Sequence, residues 1–179
     1  MRAPEKIETE RLILRRPRRR DVPGIFARYA SDPEVTRYLA WPRHLTVDDT
    51  MMFLHFSDGE WRLHGYGPYL VWSKSTALLL GSTGLTLEPS RVAQTGYVFA
   101  RDAWGRGYAT ESLHAMVDLA NAQALRRLYA MCHVDHRASA HVLEKCGFVL
   151  EPGRRESHMF PNLSLVEQDV LTYARAFRH

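Results

Sequence analysis

Two glycines and an alanine lie close together in a short segment whose sequence favours contact with an anionic ligand. The segment, residues 104–110, reads Trp-Gly-Arg-Gly-Tyr-Ala-Thr and lies between a β-rich run and a helical apolar pattern. Glycine permits a tight turn and a close approach of the backbone to a ligand. The first amides of a helix have no intrahelical partner and, with the positive end of the helix dipole, favour phosphate oxygens. We therefore predict a pyrophosphate site here, with Arg101 and Arg106 adding positive charge.

The same segment lacks the marks of two common phosphate-binding motifs. No third glycine follows at the spacing of the dinucleotide fingerprint, and no lysine follows as a nucleotide-triphosphate loop requires. A purely structural turn that leads into a helix is the alternative interpretation. A phosphorylated ligand of another kind is the functional hypothesis.

Three histidines that are close in sequence raise the question of a metal site. His133 falls on a predicted strand, whereas His136 and His141 are five residues apart across the start of a helix. Two imidazoles that bind zinc from one helix are usually four residues apart, so we predict no metal site. Cys132 and Cys146 are too few for a disulfide framework and are predicted to be reduced and buried.

The strands that would position these residues follow from β-rich runs bounded by turn signals. These runs are at residues 12–14, 69–72, 78–87, 97–99, 128–134 and 148–150. Residues 170–177 fit either a last strand or a terminal helix. The three runs between 69 and 99 predict a meander.

The helices follow from apolar residues at helical spacing. A helix begins at Asp21, and a second begins at Thr46, whose capping box with Asp49 starts a pattern that continues to about Leu63. Residues 109–124 share one apolar face, and residues 139–146 form a short helix that Gly147 ends. This order of elements predicts a mixed α/β sheet in one domain of residues 1–179.

The composition places the chain among ordinary globular proteins. Of its 179 residues, 45% are hydrophobic and 25% are charged, which argues against disorder and against a fibrous repeat. No apolar run is long enough to span a membrane, and no apolar run follows the charged N-terminus as in a signal peptide. We therefore expect a cytoplasmic protein with no membrane partner.

The formal net charge of +4 suits an anionic partner, which could be nucleic acid, an acidic protein or a phosphorylated cofactor. The charge is densest at Arg15, Arg16, Arg18, Arg19 and Arg20. This cluster is either a solvated loop or a docking patch for a ribosomal or nucleic-acid surface.

Several of these segments, taken in order, resemble the GNAT superfamily of acyl-CoA N-acetyltransferases, and within it the RimJ/RimL-type branch that acetylates protein N-termini. The resemblance extends from about residue 8 to residue 173. The similar segments are the family's first and third strands, the strand that receives the acetyl group, the pyrophosphate turn and the segment along the pantetheine and thiol (residues 9–15, 81–85, 96–98, 104–109 and 135–148).

The resemblance implies an α/β fold with a mixed central β-sheet, splayed central strands and flanking helices. It also implies acetyl-CoA as cosubstrate and a primary amine as acceptor, either a protein N-terminus or a small molecule. It implies no nucleic-acid partner, and homodimers are common among similar proteins. The cofactor-binding residues it implies are Tyr97, Val98, Phe99, Trp104, Gly105, Arg106, Gly107, Tyr108, Ala109, Thr110, His136 and Ser139.

The resemblance further implies direct attack of the amine on the thioester, without an acyl-enzyme. The reaction then requires a neutral amine, a stabilised oxyanion and a protonated leaving thiol. Backbone amides of residues 97–99 are the candidates for the oxyanion, and the Ser139 hydroxyl is the candidate for the thiol. The alternative role for Ser139 is that of a helix-start residue that satisfies backbone amides.

The base is assigned to His158, which lies at about the position where RimL-like enzymes have a glutamate. Imidazole as a residue type suits proton transfer near neutral pH. Glu88, Glu111 and Glu156 are the alternatives, although Glu111 equally fits a first-turn carboxylate that interacts with the helix dipole.

Two positions depart from the family pattern. Trp104 stands where glutamine or arginine is usual, which matters little if amides hold the phosphates. His136 stands where the family has an asparagine, and an imidazole N–H could supply the missing hydrogen bond.

Residues 41–67 are predicted to form a substrate-specificity lid. Trp41, Trp61, Trp72 and the run at residues 51–53 either line an amine pocket or pack in the core. A non-catalytic acyl-CoA-sensing or ribosome-docking module of the same fold is the alternative function.

Overall fold

A computed structural model of the chain describes residues 2–153 and 156–178, and one sheet dominates these residues. Its strands are β1 (Lys6–Glu8), β2 (Leu12–Arg15), β3 (Pro68–Ser73), β4 (Leu79–Glu88), β5 (Val92–Phe99), β6 (Arg127–His133), β7 (Val149–Leu150), β8 (Glu156–His158) and β9 (Gln168–Ala176). They lie in the order β1-β2-β3-β4-β5-β6-β9-β7, and β8 also pairs with β9. The pair β5 and β6 is parallel, and its neighbouring pairs β4–β5 and β6–β9 are antiparallel. The sheet is therefore mixed, as the sequence predicted.

The helices in the described residues are α1 (Val22–Ile25), α2 (Pro33–Thr36), α3 (Val47–Leu63), α4 (Tyr108–Ala122) and α5 (Arg137–Lys145). The predicted capping box begins α3: the Asp49 amide donates to Thr46 Oγ1, and the Thr46 amide donates to Asp49 Oδ2. The helix expected after Asp21 is short and continues as a π-helical turn at Phe26–Ala30. No helix of the described residues is long and apolar enough to cross a bilayer.

The core lies on both faces of the sheet. Leu113 of α4, which is fully buried, belongs to one cluster together with Val71 of β3. Ile25 of α1 belongs to a second cluster together with Leu70, the residue before Val71. Adjacent residues of a strand point to opposite faces, so α4 and α1 cover opposite sides of the sheet.

Three predictions about the elements have a definite outcome. The meander is confirmed, because β3, β4 and β5 pair in sequence as antiparallel neighbours. The last segment is the strand β9, so the alternative of a terminal helix is wrong. The helix α5 begins at Arg137, two residues earlier than expected, because the side chain of His136 caps it.

The arginine cluster divides into a structural part and an exposed part. Arg15 donates two hydrogen bonds to buried Asp21, at 2.7 and 2.8 Å. Arg16 forms an ion pair with Asp58 at 2.7 Å. The side chains at positions 18–20 are exposed. Only this part of the cluster fits a solvated basic loop.

Candidate active site

The parallel strands β5 and β6 separate halfway along their length. Their register pairs residues 92–94 with residues 127–129. Beyond that point β5 continues to Phe99 and β6 to His133 without pairing to each other. The unpaired halves leave a wedge between two central strands, which confirms the splay that the resemblance implied.

Backbone donors of β5 face this wedge. The Ala100 amide donates to the Leu80 carbonyl of the β4 side at 2.8 Å. Because amides of an antiparallel strand alternate in direction, those of Phe99 and Tyr97 point away from β4 and into the wedge. The Phe99 carbonyl, on the same side as its amide, accepts a hydrogen bond from Trp104 Nε1 at 2.8 Å.

The wedge opens into a cavity of about 1040 Å³. Every residue predicted to bind the cofactor lines this cavity except Arg106, and His158 lines it as well. The lining also includes residues of the segment between α2 and α3, which is far from them in sequence. The cavity is therefore the place where the fold brings the predicted site residues together.

The turn before α4 depends on two glycines in the left-handed region. Gly105 has φ = 70° and Gly107 has φ = 78°, a conformation that other residues adopt only with strain. Gly107 is the N-cap of α4 and provides no side chain to its first amides. Those amides have no intrahelical partner, and the residues that carry them line the cavity, so the pyrophosphate site stays a prediction with the geometry that it requires.

Arg11, the residue before β2, holds this turn in place through its side chain, a role that the sequence did not reveal. Its Nη1 donates to the Arg106 carbonyl at 3.0 Å, and its guanidinium lies 4.8 Å from the centre of the Tyr108 ring. Its Nε donates to Glu111 Oε2 at 2.6 Å. Arg11 therefore joins the start of β2 to both the turn and the first turn of α4.

Glu111 is a structural carboxylate. It accepts hydrogen bonds from the Thr9 hydroxyl and from the amide and guanidinium of Arg11. Although burial alone would raise the pKa of Glu111, these hydrogen bonds hold it below its usual value. Glu111 does not line the cavity. Its hydrogen bonds to Thr9 and Arg11 position the first turn of the helix instead.

The two arginines expected to supply charge at the turn have different positions. Arg101 is paired with Asp32 at 2.5 Å, and Asp32 also caps α2 through the Glu34 amide. Arg106 is exposed and outside the cavity lining, and the structure uses its carbonyl rather than its side chain. The donors that this turn presents to the cavity are therefore mainly backbone amides.

Ser139 lies at the wedge, in contact with Tyr97 of β5. The Tyr97 phenol oxygen is 2.9 Å from Ser139 Oγ and 3.0 Å from the Ser139 carbonyl oxygen. Burial raises the pKa of Tyr97 far above its usual value, so the phenol stays protonated. Ser139 is thus not the cap of α5, and its hydroxyl faces a neutral phenol rather than backbone amides.

His136 is the cap of α5. Its Nδ1 accepts a hydrogen bond from the Ser139 amide at 3.2 Å, which requires an unprotonated Nδ1. Burial, with a smaller contribution from His133, lowers the pKa of His136 and favours this neutral form. The proton of the neutral ring is then on Nε2, and His136 lines the cavity.

His158 lies on β8, where its partner in β9 is Gln168, and its side chain is exposed at the cavity wall. The alternative bases do not line the cavity. Glu88 accepts a hydrogen bond from Tyr129, and Glu156 accepts one from Thr172 at 2.9 Å. Of the residues weighed as bases from the sequence, His158 is the one that faces the cavity.

Part of the predicted lid lines the cavity. Trp41, Phe53 and the neighbouring Met52 are in its wall. Trp61, by contrast, is fully buried and packs against Tyr69 with ring centres 5.1 Å apart. Trp72 lies under the guanidinium of Arg15, outside the cavity.

His133 is buried between the rings of Tyr38 and Phe160, with ring centres at 5.0 and 5.1 Å. Among the described residues no group of three or more His, Cys, Asp or Glu side chains is arranged to hold a metal ion. Both cysteines are buried thiols, and burial raises the pKa of each to about 11.

Residues 11–149 match the family described as Acetyltransferase (GNAT) domain. This match covers most of the chain. The chain therefore belongs to the GNAT acetyltransferase family and is an acyl-CoA-dependent N-acyltransferase.

Two curated relatives come from Bacillus subtilis. The uncharacterized N-acetyltransferase YoaA is 28% identical over 172 residues, covering 94% of this chain and 96% of its own length. The uncharacterized protein YkkB is 29% identical over 151 residues, covering 82% of this chain and 87% of its own.

Solved structures share the fold over nearly the whole chain. RimL, the ribosomal L7/L12 alpha-N-protein acetyltransferase in complex with coenzyme A, has a TM-score of 0.84 at 23% identity and covers 96% of this chain and 98% of its own. The microcin C7 self-immunity acetyltransferase MccE, in complex with acetyl-CoA and AMP, has a TM-score of 0.85 at 17% identity and covers 97% of each chain. A GNAT acetyltransferase from Bacillus anthracis has a TM-score of 0.81 at 24% identity and covers 96% of this chain and 98% of its own.

Proposed function

We propose that this protein transfers the acetyl group of acetyl-CoA to a primary amine, either a protein N-terminal amine or that of a small molecule, by direct attack in a ternary complex. The observation that carries the proposal is the wedge between β5 and β6. There, the uncapped amides of α4, the inward amides of β5 and the Tyr97–Ser139 pair all face one cavity. The fold shared with RimL and MccE, whose structures hold coenzyme A or acetyl-CoA, supports the choice of cosubstrate.

The residues at the turn fit a diphosphate. A side-chain carbon added at Gly105 would meet no atom within 4 Å, so the approach to the backbone is open. The amides of residues 108–110 would hold the diphosphate oxygens, and the Nε2–H of His136 would donate to the pantetheine arm. When bound, acetyl-CoA supplies the acetyl group as an activated thioester.

The protein then acts on the thioester through three kinds of donor and acceptor. The amides of Phe99 and Tyr97 donate to the carbonyl oxygen as it gains negative charge. The Ser139 hydroxyl donates a hydrogen bond to the leaving sulfur and so stabilises the thiolate, while the Tyr97 phenol, which donates to the Ser139 carbonyl and lies 2.9 Å from Ser139 Oγ, fixes the position of this residue. His158 accepts the proton that the attacking amine gives up.

A transfer assay tests this proposal. The protein is incubated with acetyl-CoA, a thiol reagent and a panel of peptides and amines, and the release of free thiol is followed. We expect thiol release that depends on the amine. Binding of the coenzyme without thiol release for any amine would contradict the proposal and would leave the acyl-CoA-sensing module as the function.

A further inference from the structure

Aromatic side chains form part of the cavity wall. We call this part the aromatic arm and define it as Tyr38, Trp41, His44, Phe53, Phe56 and Phe160, all of which line the cavity. The Tyr38 ring meets the His136 ring edge to face, with centres 4.8 Å apart. Because His136 caps the helix that carries Ser139, the aromatic arm begins beside the proposed reaction centre.

Asn162 fixes the loop that carries Trp41. Its Nδ2 donates to the carbonyls of Thr36 and Trp41, both at 2.8 Å, and its Oδ1 accepts from the Arg43 amide at 2.6 Å. The Trp41 ring in turn lies 5.0 Å from the His44 ring. The loop that carries Trp41 is therefore fixed by hydrogen bonds to a segment about 120 residues away in sequence.

The charge of the cavity is wrong for a polycation. Among the described residues that line it, Asp49 has the only carboxylate, alongside Lys145 and four imidazoles. Asp49 Oδ2 accepts hydrogen bonds from the amides of Leu45 and Thr46, both at 2.9 Å, and so serves the cap of α3. A polyamine or an aminoglycoside would bring several ammonium groups to a site with one carboxylate, which is already engaged.

The rim of the aromatic arm exposes apolar surface. Met52 is 67% exposed and Phe56 is 55% exposed, and their spacing of four residues puts them on one face of α3. Exposed apolar groups beside a cavity commonly mark a binding surface. The arm thus offers rings and a thioether, but little charge, to whatever enters it.

We infer that the acceptor is a small primary monoamine that carries a flat apolar ring, which the aromatic arm binds while the amine points to the thioester. The inference rests on the proposed function, since it names the acceptor of that same site. Ring stacking and burial supply the affinity, and a single carboxylate among the described lining residues, already engaged at the cap of α3, disfavours an acceptor with several ammonium groups.

Competing acceptors test the inference. Rates of acetyl transfer are compared for 2-phenylethylamine, tryptamine, spermidine, kanamycin and a peptide that begins with serine. We expect kcat/KM for the two ring amines to exceed that for each polar acceptor about 10- to 100-fold. A preference for spermidine, kanamycin or the peptide would overturn the inference and leave the proposed function in place.

Variants locate the ring site. Trp41→Ala should raise the KM for 2-phenylethylamine about 10-fold without changing the KM for acetyl-CoA, and Trp41→Phe should restore most of the loss. Leu45→Ala is the matched control, because Leu45 is 70% exposed on the same loop and does not line the cavity. An unchanged KM in Trp41→Ala would overturn the placement of the ring.

A binding measurement separates the inference from the proposed function. Calorimetry with 2-phenylethylamine, in the presence of coenzyme A, reports the ring site without any turnover. Binding that Trp41→Ala abolishes supports the inference even if no acceptor were acetylated. Absence of binding at millimolar concentrations, with transfer to another amine intact, overturns the inference alone.

Discussion

The phenol oxygen of Tyr97 lies 2.9 Å from the Ser139 hydroxyl oxygen, and 42 residues separate the two in sequence. This contact joins β5, at the wedge, to the first turn of α5. It places the serine hydroxyl against a group that burial keeps protonated. The Ser139 hydroxyl therefore lies beside the Tyr97 phenol and in the wall of the cavity.

Removal of either hydroxyl should slow the chemical step. Ser139→Ala should lower kcat about 100-fold, as expected for loss of a proton donor, and Tyr97→Phe should lower it about 10-fold through loss of orientation. The double variant should be no slower than Ser139→Ala, because both hydroxyls act through the same hydrogen bond. Steady-state kinetics give kcat, and calorimetry should show unchanged acetyl-CoA affinity. Fully additive losses would contradict a shared role.

Gly107→Val should weaken acetyl-CoA binding at least about 10-fold, because a branched residue is strained at φ = 78° and distorts the amides that face the cavity. Gly153→Val is the control, since Gly153 has φ = 83°, open space around it and no place in the cavity wall. Calorimetry measures the affinity, and circular dichroism checks that both variants fold. Equal affinity in the two variants would show that the turn does not hold the ligand.

His158→Gln should lower kcat/KM about 10- to 100-fold near neutral pH, because it removes the proposed proton acceptor and keeps a polar side chain. His55→Gln is the matched control, as His55 is exposed on α3 and outside the cavity. A wild-type kcat/KM in His158→Gln would assign the base elsewhere.

The cap of α5 should make stability depend on pH. Burial and the neighbouring His133 lower the pKa of His136 below about 6.5, the value for an unfolded chain, so the folded protein binds fewer protons. The free energy of unfolding from this group is thus complete above about pH 6.5 and falls as the pH drops toward the lowered pKa.

His136→Asn tests that dependence, because asparagine is a favoured cap that does not titrate. Its free energy of unfolding in urea should lie within about 0.5 kcal/mol of the wild type at pH 8. Between pH 8 and pH 5 the variant should lose less stability than the wild type. His44, whose pKa burial also lowers, contributes equally to both proteins. Parallel losses in the two proteins would refute the titration of His136.

The elements with local signals were predictable from the sequence. The capping box of Thr46 and Asp49 lies within one turn of helix, and the turn at Gly105 and Gly107 is fixed by residue type. Both features are predictable because the residues that cause them are close together in the sequence.

The contacts that complete the site have no such local signal. Arg11 and Glu111 are 100 residues apart, and Asn162 reaches Trp41 across 121 residues. The Arg101 guanidinium, which was expected to add positive charge at the turn, forms an ion pair with Asp32, 69 residues away in sequence. Such pairings follow from the folded arrangement of the sheet and cannot be deduced from spacing.

The most direct measurement compares the binding of acetyl-CoA with that of acetyl-pantetheine, which lacks the diphosphate, by titration calorimetry on the intact protein. Diphosphate contacts with the amides of α4 predict binding of acetyl-CoA at least about 100-fold tighter, since several charge-assisted hydrogen bonds are involved. Equal affinity for the two compounds, or no binding of acetyl-CoA, would contradict the account.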